Sequence, residues 1–410
     1  MPKASTLSDA PQSNAAAIWA LGITQIIGYG TLYYSFSILA PSIAAEFEIG
    51  VEWVYGFMSL ALLAGGVIAP YSGALADKHG AARVLSFGSI GAALALAICG
   101  LATNAWLFLG GVILIELASA FVLYASAFAL LAQATGPKAR RSITYLTLIA
   151  GFASTIFWPL TTWLLQSIDW HRIYFLFAGM NLFVCLPLHL WLTRFARTAA
   201  ARPVAAVAIE PVAVADATVI FLLVVVGFSL AGFVLAAILF HVVPMLAVLG
   251  LGASGVFVAT LFGPAQVASR LINLFLGKDL PAPILAVVSA TMMPLAIMVL
   301  ALSAPSIPGA MAFAIIFGLG SGLFSIVSGT LPLALFGKAG YGKRLGWISM
   351  GRLCLSAIAP FALSLALSAI GPKPSLWLLA AAGVVCVGVF GEIWRRTRSG
   401  TGVFTASRPA

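Results

Sequence analysis

The chain has 410 residues, of which 62% are hydrophobic and only 8% are charged, and its mean hydropathy is +1.10. A soluble domain carries about 25% charged residues, so this composition excludes a water-soluble enzyme and predicts an all-α membrane protein. The formal net charge of +10 comes from cations in short breaks between apolar runs. That placement argues against a nucleic-acid-binding face, and we expect the bilayer, not nucleic acid, as the partner.

Apolar runs of about 20 residues cross a bilayer as helices. In chain order the sequence predicts twelve transmembrane helices, at residues 15–44, 53–75, 82–102, 105–132, 143–167, 173–194, 217–247, 252–277, 282–303, 308–335, 345–369 and 375–394. With a cytoplasmic N-terminus, 17 of the 21 Lys and Arg residues fall on the cytoplasmic side and two outside. The positive-inside rule therefore predicts a multi-pass protein of the cytoplasmic (inner) membrane with both termini cytoplasmic.

The longest polar break divides the twelve helices into two pseudo-symmetric sets of six. The prediction is an N-terminal half at 1–194, a cytoplasmic linker at 195–216 and a C-terminal half with a short tail at 217–410. The two halves look like weak repeats, because the fifth and eleventh helices both follow a basic turn and carry a proline, Pro159 or Pro360. Repeated six-helix halves are typical of carriers that work by alternating access.

The segment "GALADKHGAAR", between the second and third helices, resembles the signature loop of the major facilitator superfamily. The matching positions are Gly73, Ala76, Asp77, Lys78, Gly80 and Arg83. With twelve helices and a central linker, the resemblance covers the whole chain. It implies that these residues form a gating motif that latches the two halves in the outward-open state; a plain structural turn is the alternative.

The region from "ARRSITYL" to "DWHR", residues 139–172, is similar to the corresponding part of the monocarboxylate porters and oxalate/formate exchangers. The fifth helix lacks the Gly-Pro motif of the drug/proton antiporters. The acidic Gly-Trp motif with which the porters begin their first helix is also absent. The resemblance implies a carrier for small organic anions, with a drug efflux carrier as an alternative.

Two arginines lie inside predicted helices. Arg270, in the eighth helix, and Arg352, in the eleventh, are each eight residues from a cytoplasmic cation, and thus about 12 Å into the membrane. An intramembrane arginine costs at least about 2.5–3.5 kcal/mol, and a bound carboxylate can offset this by paired hydrogen bonds. The exchangers use cations in these two helices and the porters one in the eighth, so we expect both arginines to bind substrate. Snorkelling or bonding to helix ends is the alternative.

Further candidates lie in other helices. Gln25, Tyr29 and Tyr33 recur every four residues in the first helix and so share one face, which suits a polar cavity wall, or else packing. Glu116, about 16 Å deep in the fourth helix, is a candidate carrier of a coupled proton, or else a packing acid. His241 in the seventh helix is a second candidate for proton coupling.

No motif for metal binding, hydrolysis or nucleotide binding occurs, and the four cysteines all lie inside apolar runs. The sequence therefore predicts a protein that is not an enzyme and binds no cofactor or metal. It also predicts that transport is driven by gradients. The expected function is secondary transport of a small organic anion, most simply a carboxylate, by a monomer that works by proton symport or exchange with a counter-anion. A carrier-like sensor that binds ligand without transporting it is a further alternative, disfavoured by the short C-terminal tail.

Overall fold

The computed structural model describes residues 9–200, 217–252, 254–277 and 280–399, which are helical almost throughout and contain no strand. The chain divides into two compact units, Met1–Val207 and Ala208–Ala410. Most of the predicted linker, residues 201–216, lies outside the described part of the chain.

The first unit contains ten α-helices in its described residues. They are α1 (Asp9–Tyr29), α2 (Phe36–Glu46), α3 (Val51–His79), α4 (Ala81–Gly100), α5 (Ala105–Val122), α6 (Tyr124–Ala134), α7 (Ala139–Ala150), α8 (Ala153–Leu165), α9 (Trp170–Met180) and α10 (Leu186–Ala200). Pairs of these helices follow one another almost without a break, so that ten helices make six long runs.

The second unit contains seven α-helices in its described residues. They are α11 (Ala217–Leu246), α12 (Ser254–Thr260), α13 (Phe262–Phe275), α14 (Ala282–Ser303), α15 (Ile307–Phe336), α16 (Tyr341–Ile370) and α17 (Pro372–Ser399). Their shared core is built from buried aliphatic and aromatic side chains, among them Phe228, Phe313, Phe317 and Phe390.

Eleven helical runs in the described residues are long and apolar enough to cross a membrane. They coincide with eleven of the twelve predicted spans, which confirms the all-α membrane fold class. The remaining predicted span, residues 252–277, is not continuous: α12 ends at Thr260 and α13 begins at Phe262. Pro264 lies just after the interruption and favours it, because proline has no N–H to donate to the carbonyl of Thr260 and its ring clashes with that group.

The first and fourth predicted helices are also interrupted. A π-helical turn, Gly30–Tyr34, joins α1 to α2, and Leu123 adopts an extended conformation between α5 and α6. At this break the amide of Ser126 donates to Leu123 and not to Val122. The carbonyl oxygen of Val122 is satisfied instead by the side chain of Gln25, whose Nε2 lies 2.7 Å away. A break in one helix is thus stabilised by a polar residue of another.

In the second unit, α13 packs closely on α15 because α15 presents glycines at the contact. A Cβ atom on Gly318 would lie 2.7 Å from the Cβ of Ala265, and one on Gly322 would lie 2.4 Å from the carbonyl oxygen of Gln266. Only glycine therefore allows the two backbones to approach this closely. The close contact brings Arg270 of α13 against the backbone of α15.

Candidate functional site

Arg270 is the most deeply placed cation among the described residues of the second unit. Its side chain is only 4% exposed. Nε lies 3.4 Å from the carbonyl oxygen of Gly322, and Nη2 donates to Oγ of Ser325 over 3.1 Å. The third nitrogen, Nη1, is buried and has no hydrogen-bond partner in the described part of the chain. The guanidinium is held on two sides, and the two N–H groups of Nη1 have no acceptor in the described residues.

The serines near Arg270 do not supply negative charge. The hydroxyl of Ser325 donates to the carbonyl oxygen of Ser321 over 3.2 Å, and the hydroxyl of Ser321 donates to that of Gly318 over 3.3 Å. Ser321 also accepts a hydrogen bond from Nε2 of Gln266 at 2.7 Å. These neutral groups orient the guanidinium but leave its charge uncompensated.

The second unit has few acids that could neutralise Arg270. Neither α13 nor α15 contains an acidic residue. From residue 217 onward the sequence has only Asp279 and Glu392. Asp279 lies outside the described residues, and the carboxylate of Glu392 is bound by Arg395 and Arg396, each over 2.7 Å. A buried cation without a counterion in the described residues is the main electrostatic feature of this unit.

Arg352 lies on α16, which packs against α11. The side chain of Arg352 lies close to α11: a Cβ atom added to Gly232 of α11 would lie only 2.6 Å from Cγ of Arg352. The residue is half-buried, and no hydrogen bond or ion pair of its side chain is found among the described residues. The structure thus places Arg270 and Arg352 in the same unit but on different helix pairs, α13 with α15 and α16 with α11.

The polar stripe predicted on the first helix is regular only as far as Tyr29. Beyond it the π-helical turn changes the spacing. The centroid of the Tyr29 ring lies 6.2 Å from that of Tyr34 and 4.7 Å from that of Tyr124. The ring centroids of Tyr33 and Tyr34 lie 5.5 Å apart, with the rings packed edge to face. Gln25 is fully buried, with Oε1 unpaired among the described residues. Tyr29, Tyr33 and Tyr34 are half-buried in one aromatic cluster.

The two candidates for proton coupling differ in their surroundings. Glu116 is 5% exposed on α5, where its backbone and Cβ lie close to Gly65 of α3. His241 is half-buried near the end of α11, and its Nδ1 lies 3.2 Å from the carbonyl oxygen of Ala237 in the same helix. Because a carbonyl only accepts, Nδ1 carries the proton and Nε2 is the basic nitrogen.

The predicted loop at Gly73–Arg83 is almost entirely helical. Asp77 and Lys78 belong to the last turns of α3, and Gly80 alone separates α3 from α4. Gly80 has φ of +87°, a conformation that L-residues with side chains rarely adopt. The positive φ of Gly80 permits the turn between the two helices, whereas the expected loop is wrong in extent because helical hydrogen bonding continues to His79.

Gln133, which is not among the candidates predicted from the sequence, holds this turn together. Its Nε2 donates to the carbonyl oxygen of Ala76 over 3.0 Å, and its Oε1 accepts from the amide of Ala81 over 3.1 Å. The side chain comes from α6 and bonds to both helices that meet at Gly80. A lone glutamine in an apolar run at a helix end was the only sequence signal.

The "DWHR" segment begins α9. Asp169 caps the helix by accepting from the amide of Arg172 over 2.9 Å, and this hydrogen bond, with the nearby charge of Arg172, lowers the pKa of Asp169 below its usual value. Trp170 and His171 both bind the carboxylate of Glu46, at 2.7 and 2.8 Å. The segment therefore joins the end of α2 to the start of α9, and its role in the described structure is architectural.

The fold is shared with solved transporters at low sequence identity. The human organic anion transporter MFSD10 (TETRAN) matches with a TM-score of 0.70 and 12% identity, over 92% of this chain and 99% of that one. The proton:xylose symporter XylE, bound to 6-bromo-6-deoxy-D-glucose, matches with a TM-score of 0.68 and 11% identity, over 92% and 96%. The transporter FucP in its outward conformation matches with a TM-score of 0.66 and 14% identity, over 95% and 100%.

No curated protein sequence matches the chain. The sequence pattern that defines the Major Facilitator Superfamily matches residues 21–299, more than half of the chain. Together with eleven apolar spans in the described residues, this match identifies a multi-pass membrane transporter and not an enzyme. The chain belongs to the Major Facilitator Superfamily.

Proposed function

We propose that this transporter moves a small organic anion whose carboxylate binds to Arg270. The observation that carries the proposal is the buried Nη1 of Arg270, which has no partner in the described residues. A buried donor left unpaired costs about 1–3 kcal/mol, and more when it is charged. A carboxylate that accepts from Nη1 would offset this cost through a charge-assisted hydrogen bond.

The charge balance of the second unit supports an anion. A cationic substrate would meet Arg270 and Arg352, and the only acid in the described residues of this unit, Glu392, is bound to two arginines. An efflux carrier for cationic drugs is therefore the less favoured function. The resemblance to the monocarboxylate porters and oxalate/formate exchangers points in the same direction as the charges.

The proposal also assigns roles to the other candidate residues. Arg352 is the second proposed cation for the substrate, and Gln25, Tyr29 and Tyr33 are the proposed substrate contacts of the first unit. Glu116 is the proposed carrier of a coupled proton, with His241 as the second candidate. Transport then occurs by proton symport or by anion exchange in the cytoplasmic membrane, through a monomer with both termini in the cytoplasm.

A direct test is binding and uptake with the purified full-length protein. Labelled carboxylates of different sizes are offered to proteoliposomes with and without a pH gradient, and binding of those taken up is measured by calorimetry. We expect Arg270→Ala to abolish binding. Arg270→Lys should also abolish it, because an ammonium does not reproduce the geometry of a guanidinium.

The matched control is Arg395→Ala, which removes an arginine from the same unit at the exposed end of α17. It should leave anion binding unchanged. Retention of wild-type carboxylate affinity by a folded Arg270→Ala protein contradicts the proposal and returns Arg270 to a structural role. Uptake of organic cations without uptake of any carboxylate favours the efflux alternative.

A further inference from the structure

A second unpaired polar atom lies next to Arg270 on the same helix. Asn273 is 6% exposed, and its Oδ1 is buried with no hydrogen-bond partner in the described residues. Three residues along an α-helix correspond to a rotation of about 300° and a rise of about 4.5 Å. Asn273 therefore lies on the same face of α13 as Arg270, less than one turn further along.

The unused donor and the unused acceptor do not satisfy each other. Nη1 of Arg270 and Oδ1 of Asn273 are both without a partner in the described part of the chain, although a guanidinium and an amide oxygen would bond if they met. The guanidinium is instead drawn toward α15 by Gly322 and Ser325. The amide oxygen of Asn273 lies on the side of Gly277, near the end of α13.

Neighbouring hydroxyl groups do not fill this gap. Ser269 donates to the carbonyl oxygen of Gln266 over 2.9 Å, and Ser325 donates to that of Ser321. Each hydroxyl has one hydrogen to donate, so neither serine has one left for Asn273. A ligand that satisfies both atoms must accept from Arg270 and donate to Asn273.

We propose that the anion bound by Arg270 is a hydroxycarboxylate, whose hydroxyl group donates to Oδ1 of Asn273. The inference rests on the proposed function, because it requires the carboxylate at Arg270. Because Asn273 lies less than one turn from Arg270 on the same face of α13, the proposal places the hydroxyl on a carbon close to the carboxylate. Asn273 is then a residue that determines specificity.

The charge of the site selects a hydroxyl group over an ammonium group as the donor. An amino acid would bring a positive charge next to Arg270, and no acidic residue lies on α13 or α15 to stabilise it. A hydroxyl group donates a hydrogen bond without adding charge. The proposed site therefore distinguishes hydroxy acids from amino acids by charge, and from simple carboxylates by the additional hydrogen bond.

The test compares acids that differ by a single hydroxyl group. Binding of acetate and glycolate, propionate and lactate, and succinate and malate to the full-length protein in detergent is measured by calorimetry. In the wild-type protein at least one hydroxy acid should bind at least tenfold more tightly than its partner, since a site built to accept a hydroxyl hydrogen rejects the analogue without it. This comparison requires no variant.

Asn273→Leu should then lower affinity for the hydroxy acid to that of its partner and leave affinity for the partner unchanged. The control is Ser328→Ala, which removes a hydroxyl on α15 that donates to the carbonyl oxygen of Ser325 in its own helix and should keep the preference. The inference is overturned if the wild-type protein binds both acids of every pair with equal affinity. It is also overturned if Asn273→Leu lowers the affinity for both acids of a pair equally. In either case the anion proposal stands. Binding of these acids that does not depend on Arg270, or no binding of any of them, overturns both.

Discussion

The side chain of Gln133 donates from Nε2 to the carbonyl oxygen of Ala76 over 3.0 Å, while its Oε1 accepts from the amide that follows Gly80. One amide group thus bonds to the last turn of α3 and to the first residue of α4. The turn at Gly80 lies in the segment that resembles the signature loop of the superfamily, so the geometry of that segment depends on a residue outside it.

We predict that Gln133→Glu weakens this turn selectively. The carboxylate keeps an acceptor for Ala81 but loses the donor to Ala76, at a cost of about 1 kcal/mol, and Gln133→Ala loses both hydrogen bonds. Thermal unfolding in detergent should show a larger loss for alanine than for glutamate, with slower uptake in both variants. Gln166→Ala, an exposed glutamine at the end of α8, is the control, and an equal effect of that control would refute the assignment.

Asp77, three residues before Gly80, is expected to act on conformational balance and not on substrate binding. We predict that Asp77→Asn slows transport several-fold while expression and substrate affinity stay close to wild type, because a gating residue changes populations of states. Asp169→Asn, the same change at the start of α9, is the matched control. A large loss of affinity with unchanged conformational populations, measured by distance labels across the two units, contradicts this role.

Glu116 provides a test of coupling. If it carries the proton, Glu116→Gln should abolish accumulation driven by a pH gradient and still allow exchange of labelled for unlabelled substrate, since a glutamine cannot release a proton. Both activities are measured in the same proteoliposomes, with exposed Glu48→Gln as the control. Accumulation at the wild-type level in Glu116→Gln would show that this acid is structural.

Arg352 can be tested both by removing its side chain and by displacing it with its charge intact. Arg352→Ala should weaken anion binding at least tenfold. Gly232→Ala should also weaken it, because the new methyl group would lie 2.6 Å from Cγ of Arg352 and 2.8 Å from Oγ of Ser356 and must displace the arginine. Gly388→Ala is the control, since nothing lies within 4 Å of the added atom. Unchanged affinity in both Arg352→Ala and Gly232→Ala removes Arg352 from the proposed site.

The sequence by itself determined the class of fold and most of its helices. Length and hydropathy suffice for this, because the membrane requires long apolar segments with internally satisfied backbones. The signal in each case is local in the chain, and so it can be read without knowing which helices meet.

Only the tertiary structure decided where helices are interrupted and which polar groups remain unpaired. The break at Leu123, for example, is stabilised by a contact between helices, from Gln25 to the carbonyl oxygen of Val122. The unused donor of Arg270 and acceptor of Asn273 likewise emerge only when α13 packs on α15. The composition of a chain gives the number of its polar groups. Whether each group forms a hydrogen bond depends on residues distant in sequence, and therefore on the folded structure.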